Sequence, residues 1–197
     1  KSTLLKLIIG ELRPQRGQIE IFGQKLRQFK DWSKIAYLSQ QVGNINTSFP
    51  ATVEEVVSSG YYSGFGKLFN GVDRRKAVKN ALKIVEMESF SGRLIGKLSG
   101  GQRQKVFLAK CLVKQPHVLL LDEPTTGIDA RFQEEFYELL THLNEKHHMT
   151  IVMVTHDMDE ALKRAKNIGY IKERKVFVQE KIRELTKGDL TKALGFV

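Results

Sequence analysis

The 197 residues predict an α/β fold with a mainly parallel sheet flanked by helices, and three observations carry that prediction. Val118 to Leu121 is a continuous apolar run, as expected of a parallel strand buried on both faces. Phe132, Phe136, Leu139, Leu140 and Leu143 then recur at helical spacing. Thr150 to Val154 supplies a second apolar strand, so strand, helix and strand follow in the order of a βαβ unit.

The remaining elements follow along the chain. Lys1-Ser2-Thr3 runs straight into Leu4, Leu5, Leu7, Ile8 and Ile9, an apolar-periodic segment that reads as a helix closed by Gly10. Gln18 to Phe22 alternates as a strand does and ends in a turn at Gly23, and Ile35 to Leu38 reads as another short strand. From Phe49 to about Gln115 the pattern is largely helical, with segments at Val53 to Ser59, Arg74 to Met87 and Gln102 to Lys114. A helical subdomain over 49–115 is expected, inserted between core segments 1–48 and 116–197. The stretch from Gly60 to Gly71, rich in glycine and aromatics, is expected to be an exposed loop. Beyond the βαβ unit, Asp157 or Asp159 caps a helix through Arg164, strands fall near Ile168 to Ile171 and Val176 to Val178, and the chain ends in a helical tail.

Composition narrows the class. The length suits one generous domain. A hydrophobic content of 41% with 16 Gly excludes disorder and collagen-like order. No apolar stretch approaches the roughly 18 residues a membrane helix needs. The single cysteine, Cys111, forms no internal disulfide and no CxxC pair, which fits a reducing, cytosolic setting, and no signal-peptide pattern opens the chain. The net charge of +10 permits nucleic acid, anionic lipid or nucleotide phosphate as partners. The basic residues are scattered, which favours a solvated basic surface over a nucleic-acid groove.

Two motifs carry chemistry. Asp122 and Glu123 sit at the carboxyl end of an apolar strand, where open α/β sheets present their ligand site. The first carboxylate suits holding Mg²⁺ through its water shell, and the second suits a water attacking phosphorus. Solvated strand-end acids are the bland reading. Leu98-Ser99-Gly100-Gly101-Gln102 precedes a helix, so Ser99 can cap it while two glycines bring backbone N–H groups to an anion; an ordinary Gly-Gly turn is the alternative. Ser99 and Asp122 are 23 positions apart, room for one helix and one strand. His142, His147 and His148 lack acidic or cysteine partners and read as surface histidines, and Cys111 reads as a small core residue.

Leu98 to Gln102 resembles the ABC signature sequence, and Leu121-Asp122-Glu123-Pro124 resembles a Walker B strand with its adjoining glutamate. On these residues the chain resembles an ABC-type ATPase throughout its length. The resemblance implies a P-loop NTPase-type, RecA-like core over 1–48 and 116–197, with the signature subdomain over 49–115. Lys1-Ser2-Thr3 then matches the end of a Walker A loop, in which Lys1 reaches the β- and γ-phosphates of ATP and Ser2 ligates Mg²⁺. The glycines of that loop and the strands before it are not in this sequence, which implies truncation within the motif. Little nucleotide binding by these 197 residues is the expectation, restored by about 40 upstream residues.

The resemblance extends to single residues. Gln40 resembles the Q-loop glutamine that touches the metal or the attacking water, with Gln41 the competing register; His156 resembles the switch histidine on the γ-phosphate. Asp129 resembles the D-loop aspartate, or is simply the N-cap of a helix starting near Arg131. The implied reaction is in-line attack of water on the γ-phosphoryl of ATP, with Lys1 and Mg²⁺ neutralising charge, Asp122 and Gln40 at the metal, and Glu123 as general base. The resemblance also implies that Ser99 and Gly101, with Gly100 and Gln102 of the same turn, complete the site of a second copy, so the expected assembly is a homodimer.

Spacing separates the ABC classes. Gln40 and Ser99 are 59 positions apart, room for a compact subdomain but not for the coiled-coil arms of chromosome proteins. Translation-type ABC proteins carry two such domains. The motor subunit of a transporter is therefore preferred over a soluble ATPase acting in translation or DNA maintenance. Phe49 to Val57 and Thr125 to Asp129 are similar to ATP-binding subunits of zinc and manganese importers, and no exporter-like acidic-glycine motif precedes Leu98. The resemblance implies a peripheral protein on the cytoplasmic face of a bacterial membrane, bound to integral permease subunits, indirectly served by a substrate-binding lipoprotein, and without nucleic acid. Phe49 to Val57 and the Gly-aromatic loop would lie near the permease, although Tyr61, Tyr62 and Phe65 read equally as local packing.

Overall fold

Helix α1 (Ser2–Ile8) buries Leu5, and Gly10, at φ +76°, reverses the chain behind it with its N–H on the Leu7 carbonyl. These details come from a computed structural model that describes residues 1–40, 50–61, 71–172 and 175–180. Gln41, Phe49, residues 62–70 of the Gly-aromatic stretch, and residues 181–197, where the expected helical tail falls, lie outside the described residues. The described chain falls into two units, Ser2–Met153, and Val154 onward with Lys1.

In the first unit, β1 (Glu20–Ile21) and β2 (Gln24–Lys25) form a short antiparallel hairpin. Its turn residues Phe22 and Gly23 both have positive φ, +50° and +72°, matching the primed turns that suit the twist of paired strands. The strand expected over 18–22 is thus shorter, because Phe22 belongs to the turn. Strand β3 spans Ile35–Leu38 as expected. Helix α2 (Val53–Ser59) starts at a capping box in which the Thr52 hydroxyl accepts from the Glu55 N–H and the Glu55 carboxylate accepts from the Thr52 N–H.

Helix α3 (Gly71–Ile84) starts and ends three residues ahead of the segment expected from periodicity. It stops because Glu86 takes φ +59°, with the Glu86 N–H on the Lys83 carbonyl and the Met87 N–H on the Leu82 carbonyl, a Schellman ending. Glycine usually marks this ending, and a glutamate gives no such signal. Helix α4 (Gly100–Leu112) begins two residues earlier than expected, so both glycines lie in its first turn rather than ahead of it. Strand β4 (Val118–Asp122), helix α5 (Ala130–Lys146) and strand β5 (Thr150–Val154) realise the βαβ reading.

The sheet runs in the order β3-β4-β5, with β3 parallel to β4 in the register Ile35↔Val118 to Leu38↔Leu121. Leu38, Leu119 and Leu121 from the sheet, Phe136 and Leu143 from α5, Val106 and Leu112 from α4, Val78 from α3 with Val85 just after it, and Val53 and Val57 from α2 form one continuous core. Each such side chain stabilises the fold by about 1.5–3 kcal/mol on burial. Fixing β4 this way sets where its last residue, Asp122, emerges.

The second unit carries α6 (Met158–Arg164), capped by Asp157, whose carboxylate accepts from the Glu160 N–H at 3.1 Å. Of the two caps considered, Asp157 is the one used. Strands β6 (Asn167–Lys172) and β7 (Lys175–Glu180) pair antiparallel, one or two residues longer at each end than expected, with the Tyr170 and Phe177 rings stacked 5.1 Å apart.

Candidate active site

Asp122 ends β4 only 4% exposed, and its two oxygens have different partners. Oδ1 accepts from the Ser2 hydroxyl at 3.1 Å, and Oδ2 accepts from the Tyr37 hydroxyl at 3.3 Å. The first contact follows from α1 packing on β4, and the second from register: Tyr37 lies opposite Leu120, and Asp122 is two residues on, on the same face. Burial, then the charge of Asp122, pushes the Tyr37 phenol up to about 12, so it remains a donor.

Glu123 leaves the strand at φ +47°. A non-glycine residue there costs about 1–2 kcal/mol, and the following Pro124 disfavours the right-handed alternative. The consequence is that adjacent acids address different neighbours. The Glu123 carboxylate oxygen Oε2 accepts from Gln40 Nε2 and from the Thr126 hydroxyl, each at 3.3 Å. Strain of this kind concentrates at functional sites.

Four of the residues singled out in the sequence therefore meet in the first unit, as the pairs Ser2–Asp122 and Gln40–Glu123. Thr3 follows Ser2 on α1 and is exposed. Ser99 caps α4: its Oγ accepts from the Gln102 N–H at 3.2 Å and Gln102 Oε1 accepts from the Ser99 N–H at 3.1 Å. A hydroxyl that accepts still has a proton to donate. Gly100 is exposed, whereas Gly101 is buried. Asp129 caps α5, its Oδ1 accepting from the Phe132 N–H at 3.0 Å, so the capping alternative is realised. In the second unit, the Lys1 ammonium donates to the Thr155 carbonyl at 3.0 Å, and the next residue, His156, is exposed.

The sequence reading missed Tyr37 and Thr126. Thr126 lies three residues past Glu123, within reach of a turn, but Tyr37 could be found only once β3 was placed beside β4. Elsewhere, Cys111 lies against β3, its thiol on the Tyr37 carbonyl at 3.6 Å, and burial pushes that thiol up to about 12. The His142 and His147 rings meet edge to face at 5.6 Å.

The family model described as ABC transporter matches residues 1–126. The chain is 51% identical over 160 residues to the zinc uptake system ATP-binding protein ZurA of Listeria innocua, a match covering 80% of this chain and 62% of that relative. It thus spans less than two thirds of that relative's length. Among solved structures, cbiO1 from Clostridium perfringens, part of the ABC transporter complex cbiONQ, gives a TM-score of 0.83 at 29% identity, covering 98% of this chain and 78% of that one. A dimeric ATP-binding cassette bound to ADP and Pi gives 0.74 at 32% identity, covering 93% and 81%. The P-loop NTPase-type α/β fold expected from the sequence is the fold of these cassettes. The matched span takes in Ser2, Gln40, the Ser99 turn and the Asp122–Glu123 strand end, and the chain belongs to the ABC transporter family.

Proposed function

We propose that this chain hydrolyses ATP to power import of a divalent metal ion, zinc or manganese, acting as two copies bound to integral membrane permease subunits at the cytoplasmic face of a bacterial membrane. A substrate-binding lipoprotein delivers the ion. Segments 1–48 and 116–197 act as the RecA-like core and 49–115 as the signature subdomain. Support comes from the divided strand end, where Asp122 faces a hydroxyl and Glu123 faces an amide, and from the likeness to a zinc uptake ATP-binding protein.

The donor set suits Mg²⁺: a hydroxyl and a carboxylate, both hard oxygen ligands, already 3.1 Å apart. Ser2 and Asp122 would hold it, with Gln40 beside them, and the chemistry it supplies when bound is neutralisation of charge on the phosphate oxygens. Lys1 binds the β- and γ-phosphates, Thr3 completes the loop end, and His156 donates to the γ-phosphate. Glu123 takes the proton of the attacking water, and Gln40 and Thr126 fix the carboxylate that receives it. Ser99, Gly100, Gly101, Gln102 and Asp129 contact the nucleotide held by the second copy.

The test is phosphate release by the full-length protein. Release requires Mg²⁺ and falls by about 100-fold or more in Glu123→Gln, which accumulates an ATP-bound dimer on gel filtration. Wild-type turnover in that variant removes Glu123 from the base role. Growth of a deletion strain restored by added zinc or manganese tests the metal class.

A further inference from the structure

The two glycines of the Ser99 turn differ in what surrounds them. A Cβ on Gly100 would meet nothing within 4 Å, whereas a Cβ on Gly101 would overlap Cγ, Cδ1 and Cε1 of the Phe132 ring. Space beside Gly100 is open to something outside the chain, and space beside Gly101 is filled from within. Phe132 is itself fixed from three sides. Asp129 accepts its N–H at 3.0 Å, the backbone of Gly101 lies against its ring, and the Lys105 ammonium lies 5.1 Å from the ring centroid. Lys105, 8% exposed, pairs in turn with Glu135 of α5 at 3.5 Å and with Glu86 after α3 at 3.9 Å. The first turn of α4 and the first turn of α5 are thus locked through a single aromatic ring.

We infer that Phe132 is a positioning residue: it holds the Ser99–Gln102 turn and the Asp129 turn as one block, and position 101 is glycine to admit its ring. The inference rests on the proposed function, in which both turns meet the nucleotide of a second copy. A dimer that closes on ATP needs the two turns presented together. A loose ring lets them separate without disturbing the strand-end site around Asp122, which uses neither Phe132 nor Gly101.

The experiment uses full-length protein in the Glu123→Gln background, with ATP-driven dimerisation followed by light scattering and nucleotide affinity of the monomer by a fluorescent ATP analogue. Phe132→Ala is expected to weaken dimerisation by about tenfold with monomer nucleotide affinity unchanged, and Phe132→Tyr to match the parent. Gly101→Ala is expected to lose the dimer. The added substitution Phe132→Ala restores it to within about twofold of Phe132→Ala alone, because the obstructing ring has gone and alanine keeps the backbone N–H through which position 101 meets the nucleotide. A double variant as defective as Gly101→Ala overturns the inference, since position 101 then needs glycine for the nucleotide itself. Dimerisation of Phe132→Ala equal to the parent also overturns it. Thermal unfolding checks each monomer, and Phe132→Leu takes the place of Phe132→Ala if the latter does not fold. A parent protein that does not dimerise with ATP overturns the proposed function instead, and the inference with it.

Discussion

Tyr37 and Asp122 meet across neighbouring strands, the phenol holding Oδ2 at 3.3 Å while Oδ1 is left to Ser2. Tyr37→Phe removes a bond to a carboxylate that is 4% exposed. The expected loss is about 1.5 kcal/mol, the lower end for hydrogen bonds to charged groups, because the tyrosine is only partly buried. In the full-length protein, the Mg²⁺ concentration for half-maximal turnover should rise several-fold while kcat at saturating Mg²⁺ changes little. Urea unfolding and a Mg²⁺ titration of phosphate release check both halves. An unchanged Mg²⁺ requirement would confine Tyr37 to packing.

Ser99 combines a structural and a chemical task that substitution can separate. Ser99→Ala deletes the cap of α4 and is expected to cost about 1 kcal/mol. Ser99→Asp keeps an acceptor for the Gln102 N–H and suits the helix N-terminus, so its stability should lie within about 0.5 kcal/mol of the parent. It offers no proton to an incoming phosphate and adds a like charge, so ATP-driven dimerisation should fail in both variants. Dimerisation surviving in Ser99→Asp would reduce Ser99 to a cap.

The features legible in the sequence are those that local physics specifies. The β4 run, the α5 periodicity and the Ser99 cap each follow from residues a few positions apart. The start of α4 differs from the expected one because a Gly-Gly pair reads as a turn, while its cap Ser99, the second residue of Leu98–Gln102, points to Gly100. The end of α3 gave no glycine signal, since Glu86 takes the left-handed position. What needs neighbours distant in sequence was illegible: Tyr37 under Asp122 depends on strand order, and Phe132 against Gly101 depends on how α4 meets α5. Asp122 and Glu123 are legible from their place at the end of an apolar strand, Gln40 and Ser2 only through motif resemblance, and the pairing of the four only through contacts that no spacing specifies.

Cys111 gives a pH-dependent test. Burial raises its thiol from an ordinary 9.0 to about 12, with Lys110 pulling weakly the other way. A folded value above the unfolded one favours the neutral thiol. The stabilisation is therefore fully present below about pH 9 and is lost as pH rises through about 12. At pH 8.5 iodoacetamide should label the native chain roughly tenfold or more slowly than the urea-unfolded chain, since only the thiolate reacts. Equal rates would mean that the thiol beside the Tyr37 carbonyl is as acidic as one in water.

Lys105 tests whether a buried cation stabilises or merely positions. Its partners Glu135 and Glu86 have side chains 42% and 84% exposed, so removing the ammonium strands no buried carboxylate. Lys105→Met keeps the stem that packs in α4 and gives up two long ion pairs and the contact with Phe132. The expected change is about 0–1 kcal/mol, since replacing a buried ion by an apolar isostere is often neutral. Lys105→Glu instead sets a buried anion beside two carboxylates and the negative face of the Phe132 ring, and should cost about 3 kcal/mol or more. Urea unfolding of the three chains decides the matter. A Lys105→Met loss as large as that of Lys105→Glu would show that the ammonium is a net source of stability, because the apolar replacement retains the volume and lacks only the charge.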